Sequence, residues 1–325
     1  MLGLTAVFAR VRRAAVLGAA LTIASALLFA SAALAAAPAA TTGAAGSVTY
    51  QSAVLSGSVK PGGESTVVYF QYGSTGEYGA QSAPTQVAAG TKAVPVSITV
   101  TGLAAGTTYH YRLVASNATG TSLGAGRTFA TAKIPLSLAI GAAPATVTTG
   151  GAVTIEGTLS GTGNAGVAVQ LQQNPYPYTA GFVDVGNPEL TLSNGTFAFN
   201  VLGVGANTQY RVVSGSVASA DVVVSAALGV TLHAQARGTR RHPTIRFSGS
   251  IAPAEPSARI GFERLIGTSW KVVGGTIAGV VTSNGLVHFA KTIHIRTGGF
   301  FRALVLPVEG SHVAGYSDTV TVRIR

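Results

Sequence analysis

Past residue 37 the apolar positions of this chain recur at every second residue, in short runs, and nowhere keep a helical period. Val68, Phe70 and Tyr72 share one parity. So do Tyr109, Tyr111, Leu113 and Ala115, with His110 and Arg112 on the other. A side chain on a strand points to alternate faces, so each run predicts an extended segment with one buried and one solvated side. Gly, Asn, Pro and Ser separate the runs. Such spacing predicts an all-β chain built from sandwiches.

The latter part of the chain repeats itself. Val153-Thr154-Ile155-Glu156-Gly157-Thr158-Leu159 matches Ile245-Arg246-Phe247-Ser248-Gly249-Ser250-Ile251. Ser193-Asn194-Gly195 matches Ser283-Asn284-Gly285, and Tyr210-Arg211-Val212 matches Phe301-Arg302-Ala303. Gly157 and Gly249 are 249 − 157 = 92 positions apart, close to one sandwich module of about 100 residues and far from the 20–50 of a solenoid. Asn-Gly suits a tight hairpin turn, where positive φ is required. The expected architecture is therefore three tandem β-sandwiches at residues 44–131, 136–227 and 228–325. A leader at 1–35 and a linker at 36–43 precede them. Thr131-Ala132-Lys133-Ile134-Pro135 joins the first module to the second. The second connection, Ser225-Ala226-Ala227-Leu228, is so short that strand follows strand with little freedom.

The stretch Leu103-Ala104-Ala105-Gly106-Thr107-Thr108-Tyr109-His110-Tyr111-Arg112-Leu113-Val114-Ala115-Ser116-Asn117, followed by Gly120, resembles a fibronectin type III domain. Tyr69-Phe70-Gln71-Tyr72-Gly73 and Tyr78-Gly79 resemble the variant common in exported proteins of high-GC bacteria. The resemblance implies that Tyr109 makes a tyrosine corner, its hydroxyl bonding backbone just upstream. The chain departs from the family in having Leu55-Ser56-Gly57 where an early Trp is usual and Ala105 where the corner has Pro. It has no Arg-Gly-Asp. The two later modules resemble bacterial immunoglobulin-like domains.

Arg10, Arg12 and Arg13 precede an apolar stretch from Ala14 to Ala36, and Ala33-Leu34-Ala35 offers small residues at a signal-peptidase site. This predicts an exported protein, secreted or at the cell surface, cleaved near Ala35. Retention of the segment as a membrane anchor is the alternative. Arg12-Arg13 is preceded by Val11, which favours the general secretory route over the twin-arginine one.

Composition narrows the chemistry. Charged residues are 10% of the chain and there is no cysteine, so disulfides, thiolate metal sites and a cysteine nucleophile are excluded. The net charge is +11. Residues 228–325 hold 12 Lys/Arg against 4 Asp/Glu, whereas residues 133–227 hold 2 against 4. For an exported protein such a basic field points to cell-envelope polysaccharide, another anionic polymer or lipid headgroups, or to another surface protein, and away from nucleic acid; solvation of outward strand faces is the plainer alternative.

Two motif matches are noise in context. Gly120-Thr121-Ser122-Leu123-Gly124 fits G-x-S-x-G but leads into a strand rather than a helix. Gly161, Gly163 and Gly166 fit G-x-G-x-x-G, yet period-two alternation follows. His288 and His294 share one strand face without an acid or thiolate beside them, short of a zinc set. No metal or cofactor is expected. The candidate ligand contacts are Tyr176 and Tyr178, in the loop Gln172-Gln173-Asn174-Pro175-Tyr176-Pro177-Tyr178, and the basic cluster Arg237, Arg240 and Arg241. Exposed tyrosines stack on sugars, but they also fold back to cap a core. The arginines suit a polyanion or a solvated turn. The expected function is a non-enzymatic spacer or adhesion module. A carbohydrate- or envelope-polymer-binding accessory protein is the alternative, and a hydrolase comes third.

Overall fold

The computed structural model describes residues 35–239 and 241–324. Residues 1–34 of the expected leader, with Arg10, Arg12 and Arg13, and the candidate contact Arg240 lie outside the described residues. Every regular element among the described residues is a β-strand. The strands form six sheets, which enclose three separate apolar cores. The chain divides into two compact units between Ile134 and Pro135. The first unit holds one sandwich and the second holds two.

In the first sandwich, strands Ala39–Thr42, Ser52–Lys60 and Val94–Thr101 form one sheet. The other is centred on Thr66–Gly73 and Thr108–Asn117. Val68, Phe70, Leu113 and Ala115 are fully buried, as alternation requires. The stretch 36–43, expected as a linker, contains the edge strand Ala39–Thr42, which pairs antiparallel with Gly57–Lys60. It is held there by bonds to a strand of the opposite sheet: the Leu113 backbone N–H donates to Thr42 Oγ1 at 3.0 Å, and Asn117 Nδ2 donates to the Ala36 carbonyl at 2.8 Å. Tyr109 makes the expected corner, its hydroxyl accepting from Ala104 N–H at 2.9 Å and its ring stacked on Phe129.

The second sandwich sets Ser137–Ala143, Gly151–Ser160 and Thr196–Val204 against a sheet built on Ala168–Pro175, Thr208–Ser214 and Val222–Ala227. The third sets Gly229–Val230, His233–Thr239, His242–Ala252 and Val287–His294 against Arg259–Ile266, Ser269–Ile277 and Gly299–Leu306. Their repeat is structural. Gly157 lies opposite Phe197, and Gly249 opposite Phe289. A β-carbon on Gly157 would sit 2.4 Å from Phe197 Cζ, and one on Gly249 would sit 2.6 Å from Phe289 Cζ. Both Asn-Gly turns close alike: Leu192 N–H donates to Thr196 O, and Thr282 N–H to Leu286 O. Only the glycine takes positive φ, 82° at Gly195 and 74° at Gly285. The asparagine instead accepts hydrogen bonds from the turn through Oδ1.

Candidate functional site

Tyr176 and Tyr178 lie together, ring centroids 5.6 Å apart and nearly perpendicular, and both are half-buried. Tyr176 reaches the third sandwich. A β-carbon on Gly310 would come within 3.0 Å of its ring. Tyr176 N–H also donates to the Asn207 carbonyl at 2.8 Å. The loop thus folds over the end of its own module and onto the next one.

That contact belongs to the short joint at Ser225-Ala226-Ala227-Leu228; the loop of the third sandwich that ties into it carries no signal in the sequence. Ala227 closes the last strand of the second sandwich, and Leu228 is already buried in the core of the third. Loop residues 311–313 of the third sandwich return to the same place. Val313 pairs with Ala227 in parallel, its N–H donating to Ala226 O at 2.8 Å. Asn207, buried between two strands of the second sandwich, ties this loop down. Its backbone N–H donates to Ser311 O at 2.7 Å, its Nδ2 to Gly310 O at 2.8 Å, and its Oδ1 accepts from Ala226 N–H at 2.9 Å. His312 lies 3.0 Å from the Gly205 carbonyl through Nε2 and 3.4 Å from Glu255 Oε1 through Nδ1. Gly315 must be glycine here, because a β-carbon would fall 2.0 Å from Leu228 O.

The basic cluster sits elsewhere. His233–Thr239 and His242–Ala252 form a hairpin, with Arg237 exposed on the first strand and Arg241 exposed at the turn. Arg237 Nη2 donates to Gln235 Oε1 at 2.8 Å. The tyrosine pair and the arginines therefore occupy different places: the former caps a joint, the latter lie on a strand and at its turn.

All three sandwiches carry one further device. Arg112 Nε donates to Gln71 at 2.8 Å, Arg211 Nε to Gln172 at 2.8 Å, and Arg302 Nε to Glu263 at 2.7 Å. Each guanidinium also covers an aromatic ring: Tyr78 at 4.5 Å, Phe182 at 4.1 Å, and Trp270 at 4.4 Å with Tyr316 at 4.3 Å. A cation over an aromatic face gains from the ring quadrupole, so these arginines clamp the outer side of each sheet. The signal for the device is an aromatic, an arginine and an aliphatic residue in succession. It is present a third time as Tyr111-Arg112-Leu113. The aromatic of that motif is buried in all three copies; in the first two sandwiches it is a tyrosine, and burial raises the phenol pKa. At Tyr111 burial outweighs a backbone hydrogen bond at Ala45 and the charge of Arg127. At Tyr210 it outweighs a hydrogen bond with Thr208.

Neither enzyme-like motif is placed for chemistry. Ser122 lies on a strand paired with Ala115, and its hydroxyl accepts from Ala40 N–H at 3.2 Å. Gly161, Gly163 and Gly166 lie in a loop between two strands. His288 and His294 are both exposed on one strand. Among the described residues no group of three His, Cys, Asp or Glu side chains is placed to hold a metal ion.

No protein-family model matches the chain, and no curated protein matches it. Among solved structures it is similar to a tetra-tandem repeat in the extending region of a large adhesion protein, at 15% identity over 88% of this chain and 74% of that one, with a TM-score of 0.30. It is also similar to the FN1-FN3 domains of chicken CNTN1, at 12% identity over 89% of this chain and 99% of that one, with a TM-score of 0.29.

Proposed function

We propose that this chain is an exported spacer or adhesion module of the cell envelope or the secreted fraction. The observation that carries this reading is the joint between the second and third sandwiches. Strand runs into strand at Ala227-Leu228, and Asn207 with Val313 adds direct hydrogen bonds across the junction. Loose connection is the default between domains. A joint without slack suits a part whose task is to hold its neighbours at a fixed separation.

The test is fractionation of cells producing the full chain, with mass spectrometry of the N-terminus and co-sedimentation with purified envelope. The reading expects the chain in the envelope or the medium, beginning just after residue 35. Retention in the cytoplasm, or hydrolysis of a generic ester that is lost in Ser122→Ala, overturns it.

A further inference from the structure

The third sandwich presents a sheet face without a single acid. Its four strands, Gly229–Val230, His233–Thr239, His242–Ala252 and Val287–His294, contain neither Asp nor Glu. On the inward parity Ile245, Phe247 and Ile251 are fully buried, while Lys291, the partner of Phe247, is exposed. Cross-strand partners share a face, so the register defines the outer one. Arg237 lies opposite Thr244, which lies opposite His294. Gln235 lies opposite Arg246, which lies opposite Thr292. His233 faces Ser248, and His288 faces Ser250. Arg237, Arg246, His233, His288 and His294 are all exposed, and Arg241 stands at the hairpin turn beside them. Both ion pairs among the described residues, Arg302–Glu263 and His312–Glu255, lie off this sheet.

The preceding repeat supplies an internal comparison. At the positions of Arg246 and Ser248 the second sandwich has Thr154 and Glu156. The buried half of the motif is retained while the outer half changes from acidic to basic. Core packing therefore does not account for the arginine.

We infer that this face docks a linear acidic polysaccharide. The charge is complementary to carboxylates, which guanidinium groups bind in a fork. The positions between the cations are Thr244, Ser248, Ser250, Thr292 and Gln235, which suit a chain rich in hydroxyls. The outer face has no Phe, Tyr or Trp to serve as a stacking platform for nucleobases and no large apolar side chain to enter a bilayer. The inference is independent of where the protein resides.

The experiment uses residues 35–325 and immobilised polygalacturonate. Parallel arms carry uncharged dextran, vesicles of phosphatidylglycerol and phosphatidylcholine in equal parts, and single-stranded DNA. Binding to polygalacturonate should weaken as salt rises. It should fall roughly tenfold or more in Arg237→Gln/Arg241→Gln/Arg246→Gln. The charge-matched Lys60→Gln/Lys92→Gln/Lys133→Gln, altered at exposed lysines of the first unit and the connector, should bind as the parent does. Thermal melting of both variants should match the parent, since all six positions are exposed. Equal binding by parent and arginine variant, equal loss in the lysine variant, or preference for the vesicles or the DNA overturns the inference. Such results leave the spacer reading untouched, because that rests on the joint and on localisation.

Discussion

Phe197 occupies the space a side chain on Gly157 would need: a β-carbon there would lie 2.4 Å from the ring and 2.6 Å from the Ala139 carbonyl. Gly249 meets the same obstacle in Phe289, and more severely in the Thr231 carbonyl at 2.0 Å. A ring can turn aside, but the carbonyls of Ala139, on a paired strand, and of Thr231, whose N–H is bonded to Ser250 O, move only with their backbone. Gly157→Ala and Gly249→Ala should each destabilise their sandwich by about 2 kcal/mol through overpacking. Gly141→Ala, which meets nothing within 4 Å, should stay within about 0.5 kcal/mol of the parent. Denaturant unfolding of the three variants checks this.

Asn207 should govern cooperativity across the second joint. Asn207→Ala leaves Ala226 N–H and Gly310 O without their partners. An orphaned buried polar group costs roughly 1–3 kcal/mol. The expected calorimetric outcome is that one shared transition of the second and third sandwiches separates into two. A single unshifted transition would show that the tie does not couple them.

Arg302 holds a nearly buried carboxylate. Glu263 has a side-chain exposure of 10% and its partner 25%. Arg302→Ala strands that charge and also uncovers Trp270, and breaking such a pair costs on the order of 3 kcal/mol. Trp270 is the one tryptophan of the chain, so its emission during urea unfolding reads this site. Arg302→Lys should recover only part of the loss, since an ammonium lacks the planar fork that bonds Glu263 while lying over two rings.

Alkaline pH should draw on the stability of the first two sandwiches through a buried tyrosine in each. Tyr111 and Tyr210 have their phenol pKa raised by burial. The third copy of the motif has Phe301 in that place. An unfolded tyrosine releases its proton near pH 10, while the buried one keeps it. The contribution is therefore fully present below about pH 10 and is lost as pH rises through the folded value. Tyr111→Phe and Tyr210→Phe should flatten the decline of stability above pH 10, measured by circular dichroism.

Much of this architecture is legible in the sequence because alternation is a local property. Val68 and Phe70, or Ile155 and Leu159, declare their face by parity alone. The 92-residue offset pairs Gly157 with Gly249, and the same offset pairs Phe197 with Phe289. The tyrosine corner is legible only through the resemblance of Leu103–Asn117 to a fibronectin type III domain, and Tyr109 makes it with a backbone group five residues away. The joint is a different matter. Asn207 and Gly310 are 103 residues apart, and both lie in loops whose residues keep no period. Nothing local distinguishes Asn207 from any other turn asparagine, and nothing marks Tyr176 as the neighbour of Gly310. The edge strand Ala39–Thr42 is illegible for a similar reason: four small residues carry no apolar stripe, and the buried Thr42 is held by Leu113, 71 residues away.

The parallel pairing of Val313 with Ala227 has a mechanical consequence. Tension along the backbone meets no coil to straighten at Ala227-Leu228. A stretching load there passes straight into the bonds at Asn207, Ser311 and Val313 before either core is pulled open. Those few bonds set the first yield point of the pair, and being cheap to remake, they let it recoil without refolding a whole sandwich.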